Sequence, residues 1–543
     1  MSQTTGTAAL LRAALRRDRV LLPVWVLALS SMVAVSAAAM EGLYASAADR
    51  VIASRVINTS PALVALYGPI LNEDSMGELA MSKMTVMYAV FVMGMALVIV
   101  RRHTRTEEES GRAELVGTTL VGRAAPLRAA LLEGVLASVL VGALGALGNI
   151  AFGLEVPGSV AFGLSWVGAG LVGTGIAAVC CQLSASTRTC GGIAMAVIAA
   201  LFLLRAVGDI GPDALGWLSP LGWGTRLDAW GQTRWWVLVL YLVLAVGLVV
   251  LAHVLFGRRD LGSGLLAERA GSPDGRVGTI PGLVWRLNRG LSLWWVVATV
   301  LWGALFGSVA PHIGGLFDSP GGREVLEALG GRGKVEEVML AALMAIMAAF
   351  LTGYALQVVV HAGHEETDGR TPAVHAAHGS RAQLFWSVVA LAMGGLVVLA
   401  VCYAVGSSLG YGSQSGGVWS ALREQVPAAL VHLPAMWVVA AVAVLAGAVR
   451  ARWAWLGWVV LGVVVTIGEL GPVLKLPGWV VKISPYQHVA AVPVEPVSWP
   501  SEAGLVAVAA VLLGGAGWRY RARDLGGLPA SRFPRAAGTR LRG

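Results

Sequence analysis

Glu107, Glu108, Gly111 and Arg112 follow one long apolar run, and Glu365, Glu366, Gly369 and Arg370 follow another at the same internal spacing. Paired carboxylates beside a guanidinium can make charge-assisted, bidentate contacts, and the glycine permits a sharp turn between them. One such charged loop reads as a solvated connector. Its recurrence residue by residue points to a docking surface, on which Arg112 and Arg370 meet carboxylates while the paired glutamates meet basic groups of a partner. A second acidic position also recurs. Gly208-Asp209-Ile210-Gly211-Pro212 returns as Gly468-Glu469-Leu470-Gly471-Pro472, and Ser219-Pro220 returns as Ser484-Pro485. A Gly-Pro pair can end a helix and leave its carboxylate in water. The alternative is a pair of outer gates, or a site for a cationic substrate, built from Asp209, Pro212, Ser219 and Pro220 and from Glu469, Pro472, Ser484 and Pro485.

Three other kinds of chemistry are weaker. A proton path needs ionisable residues inside apolar segments, where they are expensive. The candidates are Glu133, Asp209, Glu469, Arg205, His253 and His432, and they form no chain of intramembrane carboxylates. His361/His364 and His375/His378 make two His-x-x-His pairs with zinc-compatible spacing, but no cysteine accompanies them, and solvated side chains are the simpler reading. A phosphate-cradling loop needs Gly-x-x-x-x-Gly-Lys-Ser/Thr, and Gly333-Lys334-Val335 lacks both the first glycine and the hydroxyl. No catalytic residue, metal or cofactor is therefore expected in this chain.

The elements that carry these residues are apolar. Of 543 residues, 56% are hydrophobic and only 13% charged, which excludes an ordinary soluble domain. About twelve runs approach the twenty residues needed to cross a roughly 30 Å hydrocarbon core. The fifth, Gly191–Val207, and the last, Leu505–Trp518, are the weakest. Longer connections are expected at Glu41–Ala80 and Gly406–Pro427, among others. Backbone groups in lipid must be satisfied within each segment, so the runs are helices. With both termini inside, the larger share of the 40 Lys and Arg residues lies on the inner side. Anionic lipid accounts for the net positive charge, and no nucleic-acid partner is implied. The N-terminal run is longer than a signal peptide's apolar core and reads as an uncleaved anchor. Cys180, Cys181, Cys190 and Cys402 show neither a disulfide framework nor metal spacing.

Further landmarks repeat in order. Arg259-Asp260-Leu261-Gly262 returns as Arg523-Asp524-Leu525-Gly526, and Arg16, Arg19 and Trp25 align with Arg286, Arg289 and Trp295. The fold expected is an all-α membrane protein whose helices form two parallel six-helix repeats, residues 1–272 and 273–543. An even number of spans per half relates them by a pseudo-two-fold axis along the membrane normal. Leu10, Leu11, Ala14 and Leu15, flanked by arginines, predict an interfacial amphipathic helix before span one; Leu283, Val284 and Leu287 predict another before span seven. Trp217, Trp223, Trp230, Trp235 and Trp236 read as an interfacial aromatic belt.

Three motifs narrow the reading: Arg105-x-Glu107-Glu108-x-x-Gly111-Arg112-x-Glu114-Leu115, Leu218-Ser219-Pro220-Leu221-Gly222-Trp223, and Arg258-Arg259-Asp260. With the twelve-span layout, they resemble the permease subunits of type 2 ABC exporters. The narrower resemblance is to the duplicated actinobacterial permeases of the tetronasin-resistance, polyketide-antibiotic exporter family. It implies that Glu107–Leu115 and Glu365–Val374 are coupling segments contacting two ABC ATPase subunits, which bind ATP and Mg. It also implies caps over an exit at the span five-to-six connection, a hydrophobic or amphiphilic cargo moved outward, and a bacterial inner-membrane location with both termini cytoplasmic. The second copy departs from the motif, with Pro372-Ala373 in place of Glu114-Leu115, and Pro372 interrupts a helix. A proton-gradient-driven multidrug transporter and a non-transporting membrane scaffold are the alternative functions.

Overall fold

A computed structural model describes residues 5–44, 46–266, 278–310, 335–371, 380–415, 417–470, 477–490, 492 and 495–523. The described residues form helices and no strand. Twelve helices are long and apolar enough to cross a bilayer. Spans one to six are Leu21–Met40, Met76–Glu109, Ala125–Ala151, Val156–Leu183, Thr187–Ile210 and Trp236–Gly257. Spans seven to twelve are Ile280–Ser308, Leu340–Thr367, Arg381–Gln414, Val418–Val449, Ala451–Gly468 and Trp499–Ala522. The chain is thus an all-α, multi-pass membrane protein. Its helices gather into two compact units that meet along the chain between Gly271 and Ser272.

In unit 1 the core lies around span four. Trp166 is fully buried there and donates its indole N–H to the Met84 carbonyl at 3.0 Å. That carbonyl belongs to a wide π-helical turn, Met84–Tyr88, whose loosened ladder leaves an acceptor for the indole. Spans three and four cross at glycines, where a Cβ on Gly142 would strike the Gly163 carbonyl and a Cβ on Gly163 the Gly142 carbonyl. In unit 2, Gly303 and Gly307 of span seven face Gly406 and Gly410 of span nine with the same absence of side-chain room. Small residues spaced four apart bring backbones together where lipid offers no hydrophobic drive between helices.

Three sequence expectations change. The glycine- and serine-rich stretch from Gly406 is helix, not loop: span nine runs to Gln414 and span ten begins at Val418. Its small residues serve helix contact. The expected connection at Glu41–Ala80 holds two helices, Ala47–Thr59 and Pro61–Tyr67, capped by the Ser46 and Ser60 hydroxyls. The predicted interfacial helix exists in unit 1 as Thr7–Arg17, ending at Asp18 before a new helix starts at Leu21. Its counterpart in unit 2 is no separate helix, because Ile280–Val309 is continuous. Pro23 supplies the physical reason: it cannot donate to the Arg19 carbonyl and its ring crowds that group, whereas Leu293 at the matching position can continue the ladder. Leu22 and Val24 bond Asp18 and Val20 on either side of the missing link. Spans five and twelve are longer than their apolar runs, and each includes a buried acid, Asp209 and Glu502.

Candidate functional site

The recurrent charged segment of unit 1 begins at Thr104, where the span-two helix kinks, and continues as a short helix, Arg105–Glu109. Gly111 then takes φ 72° and starts a second short helix, Arg112–Gly117. In unit 2 the helix Val335–Thr367 carries Glu365 and Glu366 directly, and Gly369 takes φ 76°. A left-handed residue at this place in both units explains the shared glycine, since a Cβ strains that conformation.

The two adjacent glutamates do different work. Glu108 is buried and accepts a bidentate pair from Arg259, at 2.7 and 2.9 Å, plus the Arg105 guanidinium at 2.8 Å and the Gly262 amide at 3.3 Å. Arg105, with no exposed surface, also donates to the Cys181 carbonyl at 2.5 Å. Arg259 Nε reaches the Gln182 side chain at 2.8 Å, and its guanidinium lies 5.2 Å from the Phe256 ring centre. Glu109 accepts the Thr187 amide at 3.2 Å. The charged segment is therefore clamped to the ends of spans four, five and six. Unit 2 repeats the principal contact, Arg523 to Glu366 at 2.6 Å, with Arg523 stacked 4.9 Å from the Tyr520 ring centre. Two landmarks that recur separately in the sequence, the paired glutamates and the Arg-Asp-Leu-Gly motif, thus meet through the same ion pair in each unit.

Glu107 instead faces outward, paired with Arg17 and, at 3.4 Å, with Arg112. Glu365 pairs with Arg370 in the same manner, and Arg370 also holds Asp368 at 2.9 Å. Arg112 and Arg370 are more than half exposed. Glu114 is exposed too, beside Leu115, whose side chain is 71% exposed. This face, not Glu108, is the exposed part of the segment. Pro372, His375 and His378 lie outside the described residues, while His361 and His364 sit on the span-eight helix.

At the opposite end of unit 1, Asp209 is buried, not solvated. Its oxygens receive Arg205 at 2.9 Å and Arg226 at 3.0 Å, and Arg226 also holds Asp213 at 2.6 Å. Arg205 reaches on to the Ala65 carbonyl at 2.5 Å. Pro212 caps a short helix, Asp213–Trp217, and Ser219 caps the next, Pro220–Arg226, with Pro220 at its first position. Trp223 lies inside this assembly, donating to the Trp217 carbonyl at 2.7 Å, whereas Trp235 and Trp236 are exposed as belt residues would be. In unit 2, Ser484 precedes the turn Pro485–His488, and Tyr486 bonds Thr352 at 2.8 Å. Burial pushes the Tyr486 phenol well above its ordinary range. Glu469 falls in the helix Leu456–Leu470 with its side chain undescribed, and Pro472 lies outside the described residues.

Of the proton-path candidates, His253 and His432 each bond a carbonyl one turn back on their own helix, at 2.8 and 2.9 Å. Glu133 differs: it is fully buried, and neither oxygen accepts a hydrogen bond. Sequence reading passed over Asp18, which the structure buries completely against His103 at 2.8 Å. Its only local signal is an acid set within a run of arginines.

Comparison with known proteins supplies a family. Residues 8–257 and 278–521 match the family described as "Multidrug efflux system permease Rv1217c, C-terminal domain". The multidrug efflux system permease protein Rv1217c of Mycobacterium tuberculosis is 38% identical over 96% of this chain and 95% of its own length. A solved bacterial homologue of the human lysosomal transporter Spinster, inward-facing, covers 95% of this chain and is covered over 97% of its own, at 14% identity and a TM-score of 0.11, which carries no argument about fold. Identity at that level over nearly the whole of both chains decides the assignment, and the chain belongs to the Rv1217c family of multidrug efflux system permeases.

Proposed function

We propose that the chain is the membrane subunit of an ABC exporter that moves hydrophobic or amphiphilic, drug-like compounds outward. The observation that carries this reading is the twice-built brace, in which a Glu-Arg pair, buried in unit 1 and half-buried in unit 2, fixes a charged segment while an exposed Glu-Arg tip projects from it. A connector needs neither the brace nor its duplication. A segment that receives a push from an ATPase needs both, since force delivered to Arg112 or Arg370 must reach the spans and not dissipate in the loop. The clamp to spans four, five and six supports that role in unit 1. On this reading two ATPase subunits bind ATP and Mg, close, and rock the halves about a pseudo-two-fold axis. The Arg-rich ends face the cytoplasm, in a bacterial inner membrane. The multidrug efflux name of the Mycobacterium tuberculosis relative supports a drug-like cargo.

The proton-driven alternative finds less support. The acidic and basic side chains of unit 1's spans sit toward the helix ends, and the stretches 84–100, 134–151, 156–183 and 236–252 contain none. Purification of the full chain from its native membrane in mild detergent tests the proposal. An ATPase subunit at two copies per chain is expected. Arg112→Glu should retain ATP hydrolysis while export falls at least tenfold; unchanged export, or a chain that reproducibly purifies alone, would overturn the assignment.

A further inference from the structure

At the Arg-rich end of unit 1, three side chains from separate elements converge. Asp18 follows the helix Thr7–Arg17, His103 ends the span-two helix, and Glu133 projects from span three. Asp18 and Glu133 have no exposed surface, and the His103 side chain is 8% exposed. His103 Nε2 lies 2.8 Å from Asp18 Oδ2 and 3.3 Å from Glu133 Oε2, and one ligand-type atom from each residue falls within 4.8 Å of the others. Zinc bonds of roughly 2.0–2.1 Å to oxygen and imidazole nitrogen place neighbouring tetrahedral ligands about 3.3 Å apart. The His103–Glu133 separation matches that spacing, while the His103–Asp18 separation is hydrogen-bond length and must open slightly for an ion to enter.

Glu133 is the second observation. Neither of its oxygens accepts a hydrogen bond: Oε2 faces His103 Nε2 at 3.3 Å, but that nitrogen bonds Asp18 at 2.8 Å. A buried anion persists only when paired, protonated or metal-bound. One proton would serve one oxygen and leave the other orphaned. A divalent cation satisfies Glu133, Asp18 Oδ2 and His103 Nε2 together, and balances the two carboxylate charges. Arg102, 2.8 Å from Asp18 Oδ1 and about a third exposed, holds the other edge of that carboxylate, as an outer-shell partner does.

Unit 2 supplies an internal control. The repeat landmarks set Asn288 opposite Asp18 and His361 opposite His103, and put the counterpart of Glu133 within Val389–Met393, which has no ionisable side chain. Asn288, His361 and Val389 line a cavity of about 110 Å³, whose wall also includes the brace residues Glu365, Glu366 and Arg523. The second copy thus keeps the histidine and lacks both carboxylates.

We propose that Asp18, His103 and Glu133 bind one divalent transition-metal cation of the zinc type, stapling the helix Thr7–Arg17 to spans two and three. An imidazole between two carboxylates favours zinc, cobalt or manganese over calcium and magnesium, which prefer all-oxygen shells. The site is independent of any ATPase partner. Purified full-length chain, stripped with chelator, is titrated with Co²⁺ and then Zn²⁺ while visible absorption and metal content are followed. One cobalt per chain with a low-symmetry d–d spectrum, displaced by zinc, is expected. Glu133→Gln, isosteric with the native side chain, and Asp18→Asn should each weaken binding at least tenfold, and His361→Ala should leave it unchanged. Size-exclusion profiles confirm that each variant is folded. Absence of a cobalt spectrum in the folded chain, binding retained in both carboxylate variants, or loss with His361→Ala would each overturn the proposal.

Discussion

Glu108 and Arg112 sit four residues apart and answer to different physics. Glu108→Gln leaves Arg105 and Arg259 buried without their carboxylate, and breaking a buried pair in this way costs about 3–5 kcal/mol. Thermal unfolding in detergent should therefore show a clear loss for Glu108→Gln and almost none for Arg112→Glu, because the Arg112 side chain is 56% exposed. Asp209→Asn should resemble Glu108→Gln, because Arg205 and Arg226 both depend on that carboxylate. A surface-gate role would predict little change in stability. The motif Glu-Glu-x-x-Gly-Arg was legible in the sequence, but the division of labour inside it was not. Successive residues on a helix point about 100° apart, so one glutamate meets the protein and the next meets solvent, and spacing alone does not say which.

Helix contacts set the next scale. Two of the glycines in span nine have opposite fates. A Cβ on Gly410 would collide with the Ala304 carbonyl, whereas one on Gly394 meets nothing within 4 Å. Gly410→Val should destabilise unit 2 by at least the roughly 1–3 kcal/mol typical of overpacking, seen as lower yield of folded protein and an earlier unfolding transition. Gly394→Ala should be neutral or stabilising by up to about 1 kcal/mol, since it removes a flexible residue from a helix interior. The apolar runs announced these helices reliably. Their ends were less legible, because a glycine- and serine-rich stretch reads as loop until a second helix is found lying against it. Pro23 against Leu293 shows the reverse case, in which one residue already carried the difference between a broken helix and a continuous one.

For the molecule as a whole, both units hold the brace while its surroundings differ. Unit 1 keeps a separate amphipathic helix, an exposed Leu115 and the Asp18–His103–Glu133 cluster; unit 2 has a continuous helix and a cavity lined by Asn288 and His361. If the two charged tips receive ATPase subunits, they do so unequally. Arg112→Glu is expected to impair export more than Arg370→Glu at equal expression, measured as efflux of a fluorescent amphiphile by cells carrying each variant. Equal losses would mean that the shared tip alone, without the helix Arg112–Gly117, carries the contact.

Read alone, the chain established an all-helical membrane protein of about twelve spans with landmarks repeated in order. Those properties are local: a run long enough to cross a bilayer must satisfy its own backbone, and repeated residues can be counted. Tertiary structure decided which charges are buried, and with what. Glu108 meets Arg259 across 151 residues, Asp18 meets His103 across 85, and Arg205 meets the Ala65 carbonyl across 140. Where the partner of a buried charge comes from another helix, no spacing along one segment reveals it.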